Sequence, residues 1–186
     1  MTTPPVERRL PSAATVALYN AVPSGLWSAV VWGPVVVFCY RYVGQGWVYG
    51  FVGAALLAYA WPVAWLRRLQ LSGRVAVYQQ LRVPAVNQFT QQGALVNGLL
   101  RRRYPGYRAL AGRPAVAQLL RTTYQQERFH WAALVFLALL GGYAGATGHA
   151  GWALGLVLAN VGYNLYPIWL QQYLRLRLAR LGHEEA

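Results

Sequence analysis

Hydrophobic and polar positions divide the chain into four long apolar runs, two towards each end, around a mixed middle. The first run covers residues 21–40 and stops at Arg41; the second covers residues 47–66 and stops at Arg67 and Arg68. Twenty residues in an α-helix rise about 30 Å, the thickness of a bilayer's hydrocarbon core. Trp47, Trp61 and Trp65 lie near the ends of the second run, where interfacial aromatic anchors collect. The short link Val43–Gly46 predicts a helical hairpin. The third run, 129–143, enters the Gly-rich stretch 141–151, and the fourth covers 152–173, which predicts a second hairpin. Pro114 suits the first turn of a long helix that reaches Leu140 without another Pro or Gly, polar in its first half and apolar in its second. The expected fold is all-α: a polytopic integral membrane protein of about four transmembrane helices, forming a single domain over residues 1–186.

The connection 67–128 does not read as an ordinary linker. Apolar and polar residues alternate through Val75, Val77, Tyr78, Leu81 and Val83, and again through Ala94, Leu95, Val96, Leu99 and Leu100. The second group runs straight into Arg101, Arg102 and Arg103. Amphipathic segments edged with Arg suit a membrane surface carrying anionic lipid, so interfacial helices are expected here.

Charge orients this arrangement. The 186 residues contain 17 basic and 4 acidic side chains, for a net charge of +13; every basic one is Arg and every acidic one is Glu. Eleven Arg against Glu127 place ten of the thirteen net charges between residues 67 and 128. The positive-inside rule makes that connection cytoplasmic, and four crossings then put both termini in the cytoplasm. The expected location is the cell (inner) membrane, multi-pass. Arg8 and Arg9 are followed by Pro11 and a polar stretch, which does not read as a cleaved signal.

Composition removes several functions. Hydrophobic residues make up 56% of the chain and charged ones 11%, against roughly a quarter charged in a soluble domain. Cys39 is the only cysteine, so neither an internal disulfide nor a thiolate zinc site is available, and no metal site is expected. Three of the four acids, Glu7, Glu184 and Glu185, sit near the ends, which nearly excludes a catalytic carboxylate pair. Nucleic acid is a poor partner, because the basic residues lie between membrane spans.

Polar side chains inside apolar helices carry the remaining information. Asn160, Asn164, Gln171 and Arg175 fall, at about 100° per residue, within a sector of roughly 60° on one helix face. Pro167 among them frees a backbone carbonyl. The stripe reads as a site or as helix–helix glue. Glu127 and His130, at i and i+3, share a face where the third membrane helix turns apolar. A carboxylate beside an imidazole can hold its tautomer and stabilise the imidazolium, leaving the other nitrogen to take a proton. A structural pair, or neutralisation of Glu127 by one of the Arg residues, is the alternative.

The last third resembles a known family. Residues 123–131 (Thr-Tyr-Gln-Gln-Glu-Arg-Phe-His-Trp), followed after a span by residues 164–178 (Asn-Leu-Tyr-Pro-Ile-Trp-Leu-Gln-Gln-Tyr-Leu-Arg-Leu-Arg-Leu), are similar to the glycosyl-4,4'-diaponeurosporenoate acyltransferases. These are small bacterial membrane proteins that esterify the sugar of a glycosylated carotenoid with a fatty acyl chain. Glu127, His130, Trp131, Asn164, Gln171, Tyr173, Arg175 and Arg177 carry the match. Leu174 and Leu176 stand where the family usually has Asn and Pro.

The resemblance implies O-acyl transfer to a lipophilic glycosylated acceptor. That chemistry needs a base, oxyanion donors and a hold on an anionic acyl donor. His130 is expected as the base and Glu127 as its orienting partner. Asn160, Asn164, Gln171, Tyr173, Arg175 and Arg177 are expected to bind substrate, and Arg101, Arg102 and Arg103 the phosphate of an acyl donor or membrane lipid. No cofactor is expected, with acyl-CoA or an acyl-carrier protein as co-substrate. The competing reading is a non-enzymatic membrane protein binding anionic lipid or a partner through its Arg-rich connection. Association into a homo-oligomer is left open.

Overall fold

The computed structural model describes residues 10–90, 93–108 and 113–184, and every regular element among them is helical. Glu7, Arg8, Arg9 and Glu185 lie outside the described residues. Helix α1 spans Ala13–Tyr42, with Ser12 capping its first turn by accepting a hydrogen bond from Thr15 N–H at 3.2 Å. Helix α2 (Gln45–Tyr59) follows, then the short helices α3 (Val63–Arg68), α4 (Val75–Gln80) and α5 (Val83–Val86). A 3-10 turn at Asn87–Phe89 leads to α6 (Ala94–Arg103). Helix α7 runs from Arg113 to Ala146, the long helix expected from Pro114. Helices α8 (Ala150–Asn160) and α9 (Tyr166–Glu184) form one rod interrupted by a π turn at Val161–Leu165.

Among the described residues three helices are long and apolar enough to cross a membrane: α1, Val116–Ala146 of α7, and the Ala150–Ala179 rod. The continuous 47–66 helix expected from the sequence is broken. Pro62 has no N–H to give to Ala58, so α2 stops at Tyr59 after 15 residues, a rise of about 22 Å. The chain restarts as α3, where Trp65 N–H bonds the Pro62 carbonyl at 2.9 Å. The Trp61 carbonyl then accepts from Arg128 Nε at 3.1 Å, so an arginine of α7 closes the break.

Nor do α1 and α2 pack along each other as a hairpin; α2 lies against α7 instead. The two run antiparallel. The Trp47 ring is 5.8 Å from Tyr143 at one end, and the Trp61 ring is 5.8 Å from Trp131 at the other. Phe38, Phe51, Leu137, Leu140 and Leu156 bring α1, α2, α7 and α8 into one apolar core. Gly141 and Gly145, four apart on α7, let α8 approach closely: a Cβ at Gly141 would stand 3.7 Å from the Leu156 Cβ. Gly141→Ala should therefore be tolerated. Gly141→Leu should lower stability by about 1–3 kcal/mol, because the larger side chain must displace α8. Thermal unfolding in detergent checks both, and an unchanged Leu variant would contradict the close α7–α8 approach.

A second core lies at the opposite end of the rod. Val75, Tyr78 and Val83 from α4 and α5 bury themselves against Leu170 and Tyr173 of α9. Part of the connection is thus docked on α9 rather than spread on a surface. His149, in the far link, also packs: its ring sits 4.6 Å from that of Tyr42.

Candidate functional site

The polar stripe of the α8–α9 rod faces α7, but with an altered register. A π turn holds one residue more than an α turn, so everything after Leu165 is rotated by roughly 100° relative to an ideal helix. Gln172 consequently takes the place expected for Gln171: Gln172 is fully buried against α7, whereas Gln171 is partly exposed. Asn160 and Asn164 precede or fall within the turn and keep their expected face.

Two polar networks result. In the first, Glu127 is fully buried. Its Oε1 accepts from Gln172 Nε2 at 2.9 Å, and its Oε2 lies 2.5 Å from Arg175 Nη2. The latter contact is an ion pair without hydrogen-bond angles, and Arg175 Nη1 finds no acceptor among the described residues. The guanidinium is also stacked on the Tyr124 ring, 4.3 Å from its centre. Gln172 Oε1 in turn accepts from Leu71 N–H and from Tyr78 Oη, each at 3.1 Å. Burial pushes the Tyr78 hydroxyl above its usual pKa, so it stays protonated and able to donate. Through these bonds α7 and α9 are tied to the loop before α4.

Gln172→Ala should cost about 1–3 kcal/mol, since it leaves Glu127 Oε1 and Leu71 N–H without their partner, while the Tyr78 hydroxyl keeps its bonds to Ser72. Gln171→Ala should stay within about 0.5 kcal/mol. Thermal unfolding of the two variants checks the register, and a larger loss for Gln171 would contradict the π turn.

The second network contains His130. Both Glu127 oxygens are engaged elsewhere, and among the described residues no hydrogen bond joins Glu127 to His130. The orienting partner of His130 is Asn164, whose Oδ1 lies 3.3 Å from His130 Nδ1. Asn164 Nδ2 donates to Asn160 Oδ1 at 2.8 Å, and Asn160 Nδ2 donates to the Leu134 carbonyl at 3.0 Å. A backbone carbonyl can only accept, which fixes the orientation of Asn160 and, through it, that of Asn164. Asn164 Oδ1 is then oriented to accept from His130 Nδ1, and the tautomer with the proton on Nδ1 leaves Nε2 to take one. Tyr163 lies edge-on to the imidazole, ring centres 5.9 Å apart, and its backbone also meets the ring. Pro167 has no N–H to offer that Tyr163 carbonyl in the i→i−4 pattern, which leaves it available. Tyr163 Oη pairs with Ser28 Oγ of α1 at 3.0 Å.

The other expected residues lie around these networks. Tyr173 is buried against Tyr78, and the exposed Arg177 reaches its hydroxyl at 3.4 Å. Arg101, Arg102 and Arg103 are exposed in the last turn of α6, which packs on α1 and the 3-10 turn rather than on α7 or α9. Among the described residues no group of three or more His, Cys, Asp or Glu comes together. Sequence reasoning missed Gln172, Tyr78, Tyr124, Tyr163 and Ser28. Gln172 was visible as the neighbour of Gln171, Tyr124 lies one turn before Glu127 on α7 and Tyr163 adjoins Asn164, whereas Tyr78 and Ser28 carried no signal because they come from elements distant in the chain.

The model of the glycosyl-4,4'-diaponeurosporenoate acyltransferase family matches residues 62–183, which extends the likeness well upstream of the Glu127 and His130 element. No curated protein and no solved structure matches the chain. The matched region takes in α3 to α9 and, apart from Ser28, both polar networks, and on that extent the chain belongs to the glycosyl-4,4'-diaponeurosporenoate acyltransferase family.

Proposed function

We propose that the protein is a membrane O-acyltransferase that esterifies a sugar hydroxyl of a glycosylated carotenoid or a related lipid. The observation that carries this reading is the pinned tautomer of His130: an Asn164–Asn160 chain anchored on a backbone carbonyl leaves Nε2 as a base. His130 is only partly covered, whereas Glu127 is sealed. In the reaction, Nε2 takes the proton of the acceptor hydroxyl while its oxygen attacks the acyl carbonyl carbon. The bond to the leaving group then breaks, and the imidazolium returns the proton to that group. A thioester of coenzyme A or of an acyl-carrier protein supplies a suitable leaving group. The Glu127–Arg175 pair acts as positioning machinery, holding α7 to α9 so that His130 meets Asn164. Arg101, Arg102 and Arg103 are assigned to phosphate of the donor or of anionic lipid.

The same reading keeps four crossings. Helix α2 covers the stretch of α7 between Tyr143 and Arg128, which supports a crossing by α2 alongside α7. The Arg-rich connection then faces the cytoplasm of a bacterial inner membrane, with both termini on that side. The test is esterification of glycosylated carotenoid in cells producing the acceptor: His130→Ala should abolish it, and retention of the full rate would reject the proposal.

A further inference from the structure

Arginines from three helices meet around one tyrosine where α7 turns from polar to apolar. Arg67 Nε of α3 donates to the Tyr124 hydroxyl at 3.5 Å, and the Arg175 guanidinium of α9 stacks on the face of the same ring. Arg121 and Arg128 share that side of α7: at about 100° per residue, positions 121, 124 and 128 span a sector of roughly 60°. Arg67 and Arg128 give Nε to the protein, one to Tyr124 and the other to the Trp61 carbonyl, and among the described residues their Nη groups are free to donate. Arg175 Nη1 is buried and meets no acceptor among the described residues. A buried donor left open is costly unless a further group fills it. Glu127 is the only acid from residue 8 to residue 183, and it already faces Arg175. Among the described residues no carboxylate therefore balances Arg67, Arg121 and Arg128.

Orienting a chain in a membrane requires basic residues on one side, but neither their convergence on one ring nor a buried guanidinium with an open donor. Resting on the acyltransferase reading above, we propose that this cluster binds the phosphate of the acyl donor, whether a thioester of coenzyme A or a phospholipid. A guanidinium fork matches two phosphate oxygens at once, and forks from three helices can surround one phosphate. Tyr124 holds Arg67 by its hydroxyl and Arg175 by its ring, so it sets the separation of those two forks. His130 follows Tyr124 by six residues on α7, a rise of about 9 Å, which leaves room for the linker between the donor's phosphate and its acyl carbonyl. Arg101, Arg102 and Arg103, on a helix that packs on α1, are then left for anionic lipid of the surrounding membrane.

The test measures binding to the full chain in an uncharged maltoside detergent, with coenzyme A in one arm and short-chain phosphatidylglycerol in the other. Arg67→Gln combined with Arg121→Gln, both at exposed positions, should leave thermal unfolding unchanged and weaken binding by about tenfold. Arg68→Gln, exposed beside Arg67 but turned from it by a helical step of about 100°, should change it by less than about twofold. Loss in the coenzyme A arm supports the proposal with a thioester donor, and loss in the phosphatidylglycerol arm supports it with a phospholipid. Unchanged affinity in both arms, an equal loss for Arg68→Gln, or a loss seen instead when Arg101, Arg102 and Arg103 are changed together to Gln would overturn it. Binding at the cluster without any ester product would support the phosphate site while rejecting the acyltransferase reading. Ester formation with binding untouched by the double variant would do the reverse, so the two fail separately.

Discussion

His130→Ala is expected to lower acyl transfer by about 10²–10⁴-fold, the usual contribution of a positioned general base, without loss of folded protein. The fold should survive because the imidazole is partly exposed and its one side-chain bond, at 3.3 Å, is long. Asn164→Leu separates the base from its orienting group. It removes the side-chain acceptor that holds Nδ1–H, so either nitrogen can carry the proton. The turnover rate should fall by roughly tenfold or more while KM for the acceptor changes little. Kinetics on purified protein with a glycosylated lipid acceptor check both variants. If Asn164→Leu raised KM and left turnover intact, Asn164 would be a substrate contact rather than the positioning residue.

Glu127→Gln is expected to destabilise the protein by about 3–5 kcal/mol, because it leaves the buried Arg175 guanidinium without a counter-charge. For a chain of this size that corresponds to a fall in Tm of roughly 6–20 °C. Tyr124 stacking offsets only part of the loss, since a cation–π contact contributes about 0.5–2 kcal/mol. The double variant Glu127→Gln with Arg175→Met removes both charges and should recover much of the difference, as paired replacement of buried ions does elsewhere. Thermal unfolding in detergent supplies the measurement. A single variant as stable as the wild type would show that the pair does not hold α7 to α9. Full recovery of stability in the double variant without recovery of turnover would place one of the two charges in the chemistry as well.

Much of the candidate site could be read from residue spacing. Glu127, His130 and Leu134 share a face by their i, i+3 and i+7 positions, and Asn160 and Asn164 share one by i, i+4, so the sequence placed the polar groups on the right surfaces. It paired them wrongly. Glu127 is nearest to His130 in the chain, yet a buried carboxylate goes to the strongest available partner: Arg175 supplies the counter-charge at Oε2 and Gln172 the hydrogen bond at Oε1. An ideal helical wheel also chose Gln171 over Gln172, because a five-residue π turn leaves no mark in a hydrophobic pattern.

The sequence alone determined the helical class, the apolar runs, the long α7 and the family element, since these depend on local composition and period. The tertiary structure decided where a helix stops being a helix and which polar groups meet. Pro62 could be read as a breaker, but only Arg128 capping Trp61 shows how the break is satisfied. Tyr78 could be read as apolar filling, but only its docking on α9 makes it a partner of Gln172. Hydrogen bonds between elements more than 90 residues apart, as between Tyr78 and Gln172, depend on three-dimensional register, which is set by packing and π-turn geometry rather than by local propensity.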